Sequence, residues 1–282
     1  MRKKQKQKAP QSALETLLLV LLAALTLVPL FLVVQNSFKS RFYISGDPFA
    51  LPNKETFVAL ENYIRGLSAG GFFAAFGRSL LITVVSVGLI VLCTSMAAWY
   101  LMRVRTALTK GMYYLFVFSM IVPFQMVMYT MTYLVGRAKL NTVLGMPFIY
   151  LGFGAGLSVF MLCGFIRGIP RELEEAATMD GCNPVQTFFL VVLPLLKPTA
   201  VTVAILNTMW IWNDYLLPYL VLDLKKYKTI PIVIQYLKGG YGAVDWGTMM
   251  AMLVLAIIPI IIFYGICQKY IIEGVVAGAV KG

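Results

Sequence analysis

The sequence predicts an all-α membrane protein with six transmembrane helices, and three observations carry that prediction. The 282 residues are 60% hydrophobic and only 13% charged, with a mean hydropathy of +0.81, which is far too apolar for an ordinary soluble domain. The apolar residues gather into six runs of about 20 residues or more, enough to cross a ~30 Å hydrocarbon core at 1.5 Å per residue. The polar residues gather between the runs, and the only acid-rich island falls between the fourth run and the fifth.

Composition also excludes several functions. A net charge of +12 would suit a nucleic-acid binder, but the Lys and Arg residues sit mostly in loops between apolar runs, and no basic helix or aromatic-interleaved groove appears. Membrane orientation and anionic lipid head groups account for the charge better. There is no histidine, which removes imidazole acid-base chemistry and the commonest transition-metal ligand. Cys93, Cys163, Cys182 and Cys267 have no paired spacing, so neither a disulfide framework nor a metal site is expected.

The first span is expected over 16–34, after a basic tail, 1–15, holding Arg2, Lys3, Lys4, Lys6 and Lys8. No small-residue cleavage site follows the apolar run, so it is expected to be retained, with the tail in the cytoplasm. The segment 35–79 carries Gly, Pro, Asn and mixed charges and is expected outside. The core, 80–268, then holds apolar stretches at Leu80 to Met102, Met112 to Gly136, Val143 to Ile166, Pro198 to Leu222 and Trp246 to Gln268, with a polar loop at 168–197. A second tail, 269–282, returns to the cytoplasm. Basic residues divide almost evenly between the two sides in this topology, and their density in the first eight residues sets the orientation.

The polar loop has its own local logic. Glu172, Glu174, Glu175 and Asp180 supply four of the chain's 12 acidic residues. Pro170 suits a helix's first turn, and the three glutamates complement the positive end of its dipole. Ala176 and Ala177 give it a small, smooth face. Gly181 is placed to end it in a left-handed residue, and Asn183-Pro184 supplies the cap and first-turn proline of a second helix. The pattern reads helix, tight turn, helix.

Glu175-Ala176-Ala177, three residues, Gly181, nine residues, Val191, one residue, Leu193-Pro194 resembles the EAA loop of the membrane subunits of binding-protein-dependent ABC importers. Further segments resemble the carbohydrate-uptake, maltose-type permeases: Ala97-Ala98-Trp99-Tyr100 to Arg103, Pro123-Phe124-Gln125, Leu140-Asn141-Thr142, Trp212-Asn213-Asp214-Tyr215 with Pro218, and the terminal Gly278 to Gly282. Cys182 departs from the small Ala or Gly usual at its position, and is itself small. The resemblance covers roughly residues 75–282. It implies a multi-pass permease in the plasma (inner) membrane of a bacterium or archaeon, both termini cytoplasmic, paired with a second, homologous permease as a heterodimer. It also implies two ATPase subunits that bind ATP and Mg, and an extracytoplasmic sugar-binding protein. Glu174, Glu175, Ala176, Ala177, Asp180, Gly181, Leu193 and Pro194 would couple this chain to the ATPases. Tyr236, Gly239, Gly240 and Tyr241 would contact the binding protein.

No nucleophile with its base and no ligand cluster is found, and Gly152 to Gly156 and Gly239 to Gly242 lack the lysine of a phosphate loop. The chain is therefore expected not to be an enzyme and to hold no cofactor. A membrane enzyme or assembly factor, the competing class, would have to explain the missing histidine and the EAA-like spacing. The expected path lies on the fifth span, where Asn207, Trp210 and Asp214 recur at i, i+3 and i+7, with Asn213 and Pro218 beside them. An ionised residue in a span costs at least ~2.5 to 3.5 kcal/mol unless it faces a cavity or a partner. Asp214 either lines the path, caps a broken turn or pairs with a neighbouring helix. Gln125 beside Pro123 has the same alternatives, path or helix-helix bond. The solute is expected to be a sugar or oligosaccharide; a polyamine, a peptide or glycerol phosphate is the alternative.

Overall fold

Helix follows helix because a backbone in lipid must satisfy its own N–H and C=O groups. The computed structural model describes residues 13–69, 71–237 and 244–279. In chain order the helices are α1 (Ala13–Ser37), α2 (Arg41–Ile44), α3 (Glu61–Ala69), α4 (Phe72–Arg103), α5 (Ala107–Ser119), α6 (Phe124–Arg137), α7 (Met146–Ile166), α8 (Glu172–Met179), α9 (Pro184–Thr187), α10 (Leu193–Asn213), α11 (Leu216–Val221), α12 (Ile230–Tyr236) and α13 (Trp246–Ala279). A π-helical turn, Phe188–Val192, joins α9 to α10. Lys39 and Phe57 form an isolated antiparallel bridge.

Among the described residues, five helical stretches are each long and apolar enough to span: Ala13–Ser37, Phe72–Arg103, Met146–Ile166, Pro184–Asn213 and Trp246–Tyr270. The expected third span is not one straight helix. Met112 to Gly136 is divided into α5 and α6, bent by 107°. Pro123 causes the break, since it has no N–H to donate and pushes the preceding residue out of the helical region. The expected start of the fifth span at Pro198 is also corrected. The helical run begins at Pro184, and Pro198 lies inside α10. Asn183 makes this early start possible through a capping box, its side chain accepting from the Gln186 N–H while Gln186 accepts from the Asn183 N–H. Helix α13 likewise continues past Gln268 to Ala279, because a charge at Lys269 ends an apolar run without ending a backbone ladder.

The chain divides into two compact units, residues 1–69 with 237–255, and 70–236 with 256–282. In the first unit, the segment expected as a polar loop is built on buried polar side chains. Lys39, 1% exposed, donates to the carbonyls of Asp47 and Ala50 at 2.8 and 2.6 Å. Asn62 donates to the carbonyls of Ser37 and Lys39, both at 2.8 Å. Arg65 pairs with Glu61 and, at 3.3 Å, with Asp245.

In the second unit α4, α7 and α10 form the core. The buried stripe of α4 (Ala75, Ser79, Ile82, Ser86, Ile90, Ala98 and Leu101) follows helical spacing along its whole length. Helix α7 approaches closely because Gly154 has no side chain. A Cβ there would sit 2.7 Å from Ile90 Cδ1 and 2.8 Å from Asn207 Oδ1. Gly154 and Gly156 thus serve close packing, as in other close membrane helix pairs, whereas Gly152 faces open space.

Candidate coupling loop and helix break

Along the chain, helix α8 lies between the two long stems α7 and α10. Its first turn carries Glu172, Glu174 and Glu175, and its end is closed by a Schellman arrangement. The Cys182 N–H donates to the Ala177 carbonyl and the Gly181 N–H to that of Thr178, each at 3.0 Å. Gly181 adopts φ +89°, the left-handed region that an L side chain rarely occupies.

One carboxylate fixes α8 to the end of α4. Glu174 Oε2 accepts from Trp99 Nε1 at 2.9 Å, and Oε1 accepts from Arg103 Nε at 2.8 Å and lies in ion-pair contact with Nη2 at 2.6 Å. Arg103 Nη2 also donates to the Ile169 carbonyl at 3.1 Å, and Arg171 donates back to the Arg103 carbonyl. Both charged side chains are largely covered, 16% and 13% exposed. Glu174, expected beside Glu175 as a coupling residue, is therefore committed within the chain.

Glu175, Ala176 and Asp180 are exposed, Ala177 is buried, and Pro194 is exposed beside a half-buried Leu193. Met179 projects with 88% of its surface exposed. A cleft of about 650 Å³ is lined by Trp99, Arg171, Glu175, Met179 and Pro184 among others. Sequence reasoning missed the anchoring roles of Trp99 and Arg103 and the projection of Met179. The i, i+4 spacing of Trp99 and Arg103 at a helix end was the available signal.

At the other end of these stems, α10 stops at Asn213 and Asp214 is extended, with φ −72° and ψ 121°. Asp214 Oδ1 accepts from the N–H groups of Leu216 and Leu217, at 3.0 and 3.3 Å, and so caps α11. Its Oδ2 accepts from the Tyr150 hydroxyl of α7 at 3.0 Å. Trp210 meets Tyr150 edge to face, with centroids 5.4 Å apart, and is 41% exposed. Asn207 is buried and donates to Ser158 Oγ at 3.2 Å and to the Val203 carbonyl. Pro218 is buried, whereas Asn213 and Gln125 are exposed. The structure thus brings Trp210 and Asp214 together on Tyr150, a residue the sequence did not single out, and leaves Gln125 in the separate α6. Tyr236 is half exposed under the Lys228 ammonium, 4.5 Å from its ring centre. Gly239, Gly240 and Tyr241 lie outside the described residues.

Residues 90–276, which include every part of both sites described above, match the family of binding-protein-dependent transport system inner membrane components. The chain belongs to that family. This inner membrane component is 38% identical, over 96% of its length and 97% of the other's, to the probable starch degradation products transport system permease protein AmyC of Thermoanaerobacterium thermosulfurigenes. It is 36% identical to the multiple sugar-binding transport system permease protein MsmG of Streptococcus mutans, over 91% of this chain and 92% of that one. Its fold matches that of a chain in a crystal structure of a bacterial ABC transporter involved in the import of the acidic polysaccharide alginate. The TM-score is 0.78 at 21% identity, covering 94% of this component and 99% of that chain. It is a multi-pass membrane subunit of a transport system.

Proposed function

We propose that this chain is a permease subunit of an ABC importer that moves a sugar or oligosaccharide inward by alternating access. The observation that carries this reading is end-to-end similarity to AmyC, MsmG and the melibiose/raffinose/stachyose import permease MelC of Bacillus subtilis. In this reading a second, related permease completes the path, and an extracytoplasmic binding protein delivers the sugar. Two ATPase subunits bind ATP and Mg and close against α8.

The exposed Glu175, Asp180 and Met179 are then the surface presented to an ATPase cleft, with Glu175 accepting from a basic or polar group and Met179 filling an apolar hollow. Ala176, Ala177 and Gly181 shape that surface, Glu174 holds it to α4, and Leu193 and Pro194 pass its motion into α10. Trp210 and Asn213, exposed near the break, face the path, where an indole can stack on a sugar ring. Asn207 and Pro218 support it, Gln125 contributes from α6, and the segment from Tyr236 through Gly239, Gly240 and Tyr241 meets the binding protein.

The test is uptake by cells lacking this chain and complemented with it, using radiolabelled maltodextrins, melibiose, raffinose and trehalose. Restored uptake of at least one sugar, abolished by an ATPase-dead partner, is expected. Restored uptake of a polyamine or a peptide with no sugar uptake would refute the reading.

A further inference from the structure

Asp214 is a charged residue at a helix break in a membrane subunit, so the first expectation is that it touches the solute. The geometry argues for a different task. Both of its oxygens are already engaged, Oδ1 by the backbone N–H groups that begin α11 and Oδ2 by the Tyr150 hydroxyl. Tyr150 is 0% exposed, so its hydroxyl has no water to turn to if Asp214 withdraws. The two stems are tied again at the Asn207–Ser158 bond, at 3.2 Å.

Tyr150 lies near the start of α7, ~24 Å along the axis from Ile166 at 1.5 Å per residue, and Ile166 leads into α8. Helix α10 returns from α8 and stops one residue before Asp214. A single carboxylate therefore joins three elements at the end opposite α8: the end of α10 through the chain, the start of α11 through its caps, and α7 through Tyr150. Resting on the importer reading above, we infer that Tyr150 is a positioning residue that latches Asp214. The latch makes α11 move with α7 when α8 is pushed, and Asp214 does not bind the sugar. While the latch holds, displacement at α8 is delivered to α11. When it is broken, α10 can bend at its break without carrying α11.

The complete importer, with both permeases, the ATPases and the binding protein, is reconstituted in liposomes. ATP hydrolysis is measured with and without sugar-loaded binding protein, alongside labelled maltodextrin uptake. Tyr150→Phe removes the latch bond alone. It is expected to lower the ratio of stimulated to unstimulated hydrolysis about tenfold, as fits a lost bond to a charged group, with the half-saturating sugar concentration within about twofold of wild type. Asp214→Ser keeps a hydroxyl oxygen for the backbone caps, is too short to reach the Tyr150 hydroxyl, and should give the same split. The double variant should be no worse than either single one.

A wild-type ratio for an assembled Tyr150→Phe complex would overturn the latch. So would losses that multiply in the double variant, or a tenfold shift in sugar half-saturation for Asp214→Ser alone. If Tyr150→Phe does not assemble, a wild-type ratio in Asp214→Ser refutes the idea equally. Because hydrolysis stimulated by the binding protein is read separately from uptake, a wild type that hydrolyses ATP but moves no sugar sinks the importer reading and leaves the latch test standing.

Discussion

Replacing Arg103 with Met keeps an unbranched stem of similar reach while removing every donor to Glu174 except Trp99 Nε1. A hydrogen bond to a charged group is worth about 1.5 to 3 kcal/mol, and removing one partner of a fully buried ion pair costs about 3 to 5 kcal/mol. Glu174 is 13% exposed at the surface end of the bundle, so its carboxylate can partly rehydrate, and about 2 to 3 kcal/mol is the appropriate range. The element it holds is small. Helix α8 has 8 residues, ~12 Å at 1.5 Å per residue, too short to be helical without docking. A loss of that size lowers the docked population of α8 relative to the undocked one about 30- to 150-fold. Hydrogen exchange of the purified complex should show faster exchange in 172–182, with α4 and α7 unchanged. ATP hydrolysis stimulated by the binding protein should fall in parallel. Arg103→Met combined with Glu174→Gln should be milder than Arg103→Met alone, since no uncompensated carboxylate remains. Unchanged exchange in 172–182 together with full stimulation in Arg103→Met would refute the reasoning.

A Cβ at Gly181 would meet no atom within 4 Å, so substitution there acts only through the +89° φ. Gly181→Asn is expected to be nearly neutral, Gly181→Ala to cost about 1 kcal/mol, and Gly181→Val to cost more, in both ATPase co-purification and stimulated hydrolysis; equal behaviour of Asn and Val would contradict this. Single cysteines at Asp47 and Lys226, in a cysteine-free background, should react with an impermeant thiol reagent in intact cells, while those at Gln5 and the exposed Glu175 should not; labelling at Glu175 would reverse the topology. Deleting Tyr236 to Gly242 should lower uptake while leaving the complex assembled, and normal uptake would remove this segment from binding-protein contact. Gly154→Leu should prevent stable assembly, because its side chain would run into Ile90 and Asn207 from the first carbon onward; wild-type yield would show that α4 and α7 can separate at no cost.

The sequence by itself determined the class of molecule, the number of apolar segments and the helix-turn-helix at 172–187, because hydropathy and capping chemistry are local properties. Gly181 is legible in this way: glycine ends α8 at φ +89° without the strain that most side chains bring there. The break at Pro123 was written in the chain too, but apolar composition concealed it, since hydropathy records where lipid is tolerated and not where a backbone ladder is interrupted. The same limitation misplaced the start of the fifth span at Pro198, although Asn183 and Pro184 carried the signal that begins the helical run there.

Tertiary structure alone decided which partner each charged side chain takes. Nothing in the order of residues links Arg103 to Glu174, or Tyr150 to Asp214, because each pair meets only after separate helices have packed. Glu174 and Glu175 are neighbours with the same side chain and had the same expected role. A helical step of about 100° turns one onto Trp99 and Arg103 and the other out to an exposed surface. Asp214 was read from the cost of a charge in lipid, which says that some partner must exist and not which one. The partner is a buried phenol 64 residues earlier in the chain, brought within 3.0 Å by the close packing of α7.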